Sequence, residues 1–319
     1  MRPHLGDDAV EFGEVAARAF ADAGGVELAR RVEADPSLCA TTVAPLVDKL
    51  GVVDLDPGGD PDSAEAAAAV CRAAGAAALP YPVVPAVLGH LTLRSRRTGG
   101  RGVSGSATSS RVDHAHVLDE WRVSTIDGAA HVGRPVGDAL GTKLGPFVGD
   151  VEHGDGVGVT PVEIALHLTL TSFLIAGALR QTVDLATAHV VDRVQFDKPL
   201  SSFQAVQFQL ADAHVAVAGV DELAQFALWR CHANPTEAIV DALAARLGAL
   251  DAARSVLRIT QQLHGASGVC DEYDVSIIAR HVQPALRLPF GAETTAEHLA
   301  DHVEHLGFDG LFPHGGVTA

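Results

Sequence analysis

The sequence predicts a mainly α-helical protein in three parts: a helical N-terminal segment, a reduced β middle region and a C-terminal up-down four-helix bundle. Three observations lead there. Hydrophobic residues make up 47% of the chain while aromatics are only 5%, and a core of small and branched aliphatics suits long packed helices. Long stretches toward both ends place apolar residues at three- and four-residue spacing. Between residues 95 and 157 that spacing gives way to short alternating runs separated by glycines. The boundaries expected are 1–93, 94–158 and 159–319.

The N-terminal part reads as helices with breaks. AVEFGEVAARAFADAG and TTVAPLVDKLGVVD carry helical spacing. DSAEAAAAVCRAAGAAALPYP is an alanine-rich helix expected to stop at Gly75 and then at Pro80 and Pro82, and PVVPAVLGHLTL continues as a further short helix. From Arg94, RSRRTGGRGVSGSATSSR reads as a flexible loop because Gly and Ser dominate it. HAHVLDEW, VSTIDGAAHVG and FVGDVEHGDGVGV read as strands, with tight turns expected at Asp127-Gly128 and Asp155-Gly156.

A new regime begins at Thr160-Pro161-Val162-Glu163, a capping box with proline at the first helical position. The segment that follows is apolar nearly all round, so it belongs between neighbouring elements, and at 1.5 Å per residue it spans roughly 48 Å. A second long helix runs from about Phe203 to His232, and a third from Asn234-Pro235 to His264-Gly265. Shorter helices follow at Val275–Val282 and Thr294–Leu306, with Gly307 as a stop. Short connections between long helices give antiparallel neighbours, hence the bundle. No solenoid-type repeat is present.

The bulk numbers narrow the function. At 319 residues the chain can bury a substantial core. A net charge of −17, from 40 acidic and 23 basic residues, argues against a DNA-binding or anionic-membrane surface, while a few placed arginines and helix N-termini can still hold one pyrophosphate. Cys39, Cys71, Cys231 and Cys270 show no C-x-x-C spacing and read as free thiols of a cytoplasmic protein. The N-terminus has no signal-type apolar core, and no charge-free apolar run is expected to span a bilayer.

Two motifs on the bundle resemble the flavin-dependent acyl-CoA dehydrogenases. The first is Arg193-x-Gln195-Phe196, then Phe203-Gln204 and Leu210-Ala211-Asp212, with Asp197 where the family pattern has glycine. The second is Gln262-Leu263-His264-Gly265-x-x-Gly268, then Glu272-Tyr273 and Arg280. The resemblance covers roughly residues 160–310 well, the N-terminal part loosely and the middle hardly at all. It implies that these segments contact FAD held by a neighbouring subunit, at its pyrophosphate and adenosine end. Arg193 offers a planar charged fork, and Gln204 lies in a first helical turn where free N–H groups favour an anion. Phe196 would wall the cofactor edge, and Gly265 and Gly268 would admit close backbone approach. Gln195 and Gln262 complete the expected contacts.

The same resemblance exposes departures. The family removes a proton beside an acyl-CoA thioester with a carboxylate base. One family position for that base falls here on Pro289 and Phe290, with Glu293 nearby; the other falls on His167, with Glu163 one turn away and Leu168 where an arginine often serves the substrate. Glu163, His167 and Glu293 are therefore the catalytic candidates. The β region is short for a flavin wall, with Trp121 in DEWRVST its only hint. Kept flavin contacts with a missing base and wall imply the smaller subunit of a heteromeric (α2β2) enzyme of the kind found in actinobacterial breakdown of steroid side chains. The larger subunit would be its partner and a bulky acyl-CoA the substrate. The alternatives are a self-sufficient homo-oligomeric dehydrogenase with a relocated base, and a scaffold subunit without flavin. Glu297, His298, His302 and His305 have partial metal-ligand spacing, but no H-E-x-x-H or paired E-x-x-H is present, so a solvated helix face is expected and no metal.

Overall fold

The computed structural model describes residues 4–95 and 109–307. Five helices come first: Asp7–Asp22 (α1), Val26–Ala34 (α2), Ala44–Lys49 (α3), Pro61–Ala76 (α4) and Val83–Val87 (α5). A five-stranded sheet follows from Leu91–Leu93 (β1), Ser109–Val112 (β2), Trp121–Ser124 (β3), Ala130–Val136 (β4) and Gly149–Gly156 (β5), in the order β1-β3-β4-β5-β2. The β1–β3 pair is parallel and the others antiparallel. Then come Pro161–Asp192 (α6), a small hairpin of Val194–Gln195 (β6) and Lys198–Pro199 (β7), Gln204–Ala233 (α7), Ala238–His264 (α8), Asp274–His281 (α9), Gln283–Arg287 (α10) and Ala292–Leu306 (α11).

The spine is α6. Its capping box forms as the sequence requires: Thr160 Oγ1 accepts from the Glu163 amide at 3.3 Å, and Glu163 Oε2 accepts from the Thr160 amide at 2.7 Å. Residues 164–179 of α6 are mostly apolar and are enclosed by α4 in front and by α7 and α8 behind, while Arg180, Asp184, Ala188 and Val191 leave an exposed stripe along its C-terminal part. It is long and apolar enough to cross a bilayer, contrary to the sequence expectation, yet 83% of its most apolar window is buried against protein. One apolar core runs from Phe20 on α1 through Val70 on α4 to Phe173 on α6 and Leu243 on α8, so the N-terminal helices and the bundle share their interior. The sheet keeps a small core of its own around Trp121, whose indole N–H donates to the Ala115 carbonyl at 3.0 Å.

Several boundaries differ from the sequence reading. Gly75 does not stop α4, which runs through it to Ala76. A Cβ there would press into the Leu174 carbonyl, and one at Gly177 into the Arg72 carbonyl. The two glycines are reciprocal notches where α4 and α6 cross backbone to backbone. PVVPAVLGHLTL is one short helix, α5, followed by strand β1, because Leu91–Leu93 finds a partner in β3. Asp127-Gly128 is a turn, with Gly128 at φ +87°, but Asp155-Gly156 lies inside β5. Asn234-Pro235 makes a turn ahead of α8, which starts at Ala238. The stretch RSRRTGGRGVSGSATSSR lies largely outside the described residues, and its last residues enter β2. All four cysteines are free thiols, with Cys270 exposed and the rest buried.

The notch gives a direct test. Gly177→Ala forces the helices apart or the backbone to bend, and overpacking of this kind costs roughly 3 kcal/mol. Urea unfolding should show a lowered midpoint at an unchanged slope, while alanine at Gly219, where nothing lies within 4 Å of an added Cβ, should show no such loss.

Candidate functional site

Because α6, α7 and α8 alternate in direction, the end of α6, the start of α7 and the end of α8 lie at one end of the bundle. A stack of His189 on His264, ring centroids 4.5 Å apart, ties the two C-terminal ends together. Burial first, then the neighbouring His264 ring and the Arg193 charge, hold the His189 imidazole below its usual pKa. Arg193 caps α6, is exposed, and makes no side-chain ion pair or hydrogen bond among the described residues. Next to it, β6 and β7 are joined by Phe196 and Asp197, both left-handed at φ +53° and +62°. A two-residue hairpin of this hand demands positive φ at both positions, which accounts for glycine in the resembling segment where Asp197 stands. The Phe196 ring is 84% exposed and meets Phe203 edge-on at 6.3 Å, and Lys198 Nζ sits 4.2 Å over the Phe203 ring.

Gln204 opens α7, and the preceding Phe203 supplies no side-chain cap. A 30-residue helix therefore presents uncapped amides and its positive end at the same place as the free arginine. At the end of α8, Gly265 has φ +65° with open space around it. Gly268 is glycine for a different reason from the one expected: the chain folds back onto the Gln261 carbonyl and leaves no room for a Cβ. Gln262 and Gly265 line a cleft of about 680 Å³ together with Arg254, Arg258, Gln283 and Leu286. Arg193, Gln195, Phe196 and Gln204 are not part of that cleft and stand on the adjoining hairpin and helix start. The assembled chemistry is that of an anion site: guanidinium forks, side-chain amides and open helix N–H groups.

The catalytic candidates scatter. Glu163 is held by the cap and by Arg122, whose Nη2 donates to Oε1 at 2.7 Å. Burial pushes its carboxyl up, but the Thr160 and Arg122 contacts outweigh that and leave it below its usual range. Glu293 is exposed in the first turn of α11. His167 lines a separate cavity of about 110 Å³ between α4, α5, α6 and the α9–α10 region. Burial, then the charge of Arg246, pushes its imidazole down to about 3, so it stays neutral and is a poor proton acceptor at neutral pH. Pro289 and Phe290, at one family position for the base, are fixed from below: fully buried Arg246 donates to the Ala285, Leu288 and Phe290 carbonyls at 3.3, 2.9 and 2.8 Å, and lies over the Phe290 ring. Burial lowers its own pKa to about 10. Asp113 and His114 also line the cavity; no sequence pattern pointed to this adjacent pair. Among the described residues no group of three or more His, Cys, Asp or Glu is placed to hold a metal. His302 and His305 turn Nδ1 toward carbonyls of their own helix, and His298 packs on Phe290.

Residues 154–300 match the family described as acyl-CoA dehydrogenase, C-terminal domain. The C-terminal half of the chain is therefore similar to the acyl-CoA dehydrogenase family. Its members are FAD-dependent flavoproteins. It is similar to acyl-CoA dehydrogenase FadE28 of Mycobacterium tuberculosis, 31% identical over 212 residues, a match that spans 61% of this chain and 61% of FadE28. Among solved structures it resembles the ChsE4–ChsE5 complex from Mycobacterium tuberculosis, with a TM-score of 0.77 and 20% identity over 95% of this chain and 99% of that one. It also resembles a variant of the Tcur3481–Tcur3483 steroid acyl-CoA dehydrogenase, with a TM-score of 0.78 and 19% identity over 94% and 99%. At these identities the likeness establishes the acyl-CoA dehydrogenase fold along nearly the whole chain.

His167 makes the stability of this fold depend on acid. Its folded pKa of about 3 lies below the usual 6.5, so between those values the unfolded chain binds a proton that the folded chain does not. Stability is therefore full above about pH 6.5 and falls as pH drops toward 3. At pH 4.5 the loss from this one group is about 2–3 kcal/mol. His167→Phe should flatten that part of the stability–pH curve, read by urea unfolding at pH 7.5 and 4.5.

Proposed function

We propose that this chain is the smaller subunit of a heteromeric, cytoplasmic acyl-CoA dehydrogenase, lending contacts to FAD at a subunit interface and supplying no carboxylate base. The observation that carries the reading is the bundle end, where Arg193 makes no side-chain ion pair or hydrogen bond among the described residues and shares that end with the uncapped start of α7 and the C-terminus of α8. A pyrophosphate fits that donor set, with Arg193 and the α7 amides on phosphate oxygens and Gln195, Gln204 and Gln262 on neighbouring polar atoms. Phe196, rigidly aimed outward by its turn, would cover an aromatic edge of the cofactor. Bound FAD would supply the hydride acceptor for α,β-dehydrogenation of an acyl-CoA thioester. The role of this chain is to position and shield it.

The lack of a base is supported by the fate of the three candidates: one carboxylate held in a cap, one exposed on α11, and one imidazole held neutral. The partner is proposed to be a larger family member in an α2β2 assembly. A bulky steroid side-chain thioester as substrate rests on the likeness to the two complexes named above. The division into units at residues 94 and 159 belongs to the same proposal.

Co-expression with the product of the adjacent reading frame should give a yellow complex with fewer flavins than chains by native mass spectrometry, while this chain purified alone should be colourless. Arg193→Ala in the complex should weaken FAD retention by about 10- to 100-fold, the scale of a lost hydrogen bond to a charged group. A yellow, active protein from this chain alone would replace the proposal with a self-sufficient homo-oligomer. Unchanged flavin content in the Arg193 variant would favour a scaffold.

A further inference from the structure

The cavity beside His167 carries chemistry that the flavin-contacting role does not use. Its walls are mostly apolar, including Leu79, Val83, Leu93, Leu174 and Val282, and two imidazoles interrupt them. His114 is 8% exposed and His167 7%. His114 Nε2 and His167 Nδ1 are buried and have no hydrogen-bond partner among the described residues. An orphaned buried polar atom costs about 1–3 kcal/mol, and two of them on one cavity mark it as built for a polar group. The backbone agrees: His114 sits at φ +55°, a left-handed conformation that non-glycine residues keep mainly at functional positions.

The neighbours of each ring decide what that polar group is. His114 Nδ1 lies 3.1 Å from Asp113 Oδ2. In the neutral ring the carboxylate accepts Nδ1–H, so Nε2 carries a lone pair and needs a donor. His167 is neutral, and its free nitrogen can meet the other half of the same group. The remaining imidazole of the lining, His281, is committed to Glu33 at 2.6 Å. A hydroxyl both donates and accepts; a ketone or ester only accepts; an ion would be stripped of water against apolar walls. Size sets the rest. An apolar cavity of about 150 Å³ admits benzene, so about 110 Å³ admits a body of roughly five or six heavy atoms.

We propose that this cavity binds a small neutral alcohol, a compact alicyclic or branched aliphatic body whose O–H donates to His114 Nε2 and whose oxygen meets His167 Nδ1. Every residue of its lining belongs to this chain, so its test stands apart from the fate of the proposed function.

The full chain would be titrated with cyclopentanol, cyclopentanone and methylcyclopentane, three probes of nearly equal size. Imidazole ¹⁵N shifts would be followed, with His114 and His167 assigned through His114→Phe and His167→Phe. Cyclopentanol should bind about 10-fold more tightly than methylcyclopentane, the scale of one net hydrogen bond, and should move both resonances. His114→Phe should erase that preference while still binding methylcyclopentane, which shows that the cavity has kept its fold. Asp113→Asn, whose amide can donate to Nδ1 and shift the ring proton to Nε2, should cancel the lead of the alcohol over the ketone with little change in Tm. Equal affinity for all three probes, unmoved resonances, or an unchanged alcohol preference in Asp113→Asn would overturn the proposal. So would cholesterol binding as tightly as cyclopentanol, since a fused-ring sterol exceeds the space available.

Discussion

The fold depends on the crossing of α4 and α6. These helices meet at Gly75 and Gly177, each facing the other helix's backbone with no room for a methyl group. So close an approach replaces side-chain packing with backbone contact, and it fixes the angle and depth at which the N-terminal helices lie on the bundle. Everything near α6 inherits that geometry. Enclosed by α4 on one side and α7 and α8 on the other, α6 exposes no residue between 164 and 179, and the uncharged sequence of that stretch is the result. The cavity is the space left just beside the crossing, since Gly75 and Ala78 form part of its wall.

The bundle end follows a different logic. The tip keeps unmet chemistry at the surface: an arginine without a side-chain partner among the described residues, a long helix without a side-chain cap, and a bare aromatic ring on a left-handed hairpin turn. Each would lower the stability of an isolated chain, and together they describe a surface completed by something else. The Lys198 ammonium over Phe203 and the His189–His264 stack tie the hairpin and the two helix ends to their neighbours.

Much of this was legible in the sequence because the signals are local. The Thr160–Glu163 box, the proline at position 161 and the glycine after His264 mark helix ends through hydrogen bonds within one turn. The two bundle motifs sit at helix ends that the alternating directions of α6, α7 and α8 bring to one end of the bundle. What escaped was tertiary. Gly75 looked like a stop because nothing in its neighbourhood shows that Leu174 will lie against it. Leu91–Leu93 looked helical because its partner β3 is some thirty residues away. Asp113 and His114 carried no pattern, since their importance comes from an orphaned nitrogen facing a cavity made by distant helices. One family position for the base falls on residues 289 and 290, and what occupies it is a phenylalanine anchored by Arg246.

That anchor bears on how the molecule is made. Arg246 is fully buried, yet its three carbonyl partners lie 39 to 44 residues further along the chain. During synthesis the arginine emerges well before them and must stay in water, because an unpaired guanidinium cannot enter an apolar interior. The core around α8 therefore seals only after Phe290 has left the ribosome. A chain arrested before that point would carry an open seam beside its longest apolar helix, so the segment from Ala285 to Phe290 closes the core that α8 begins.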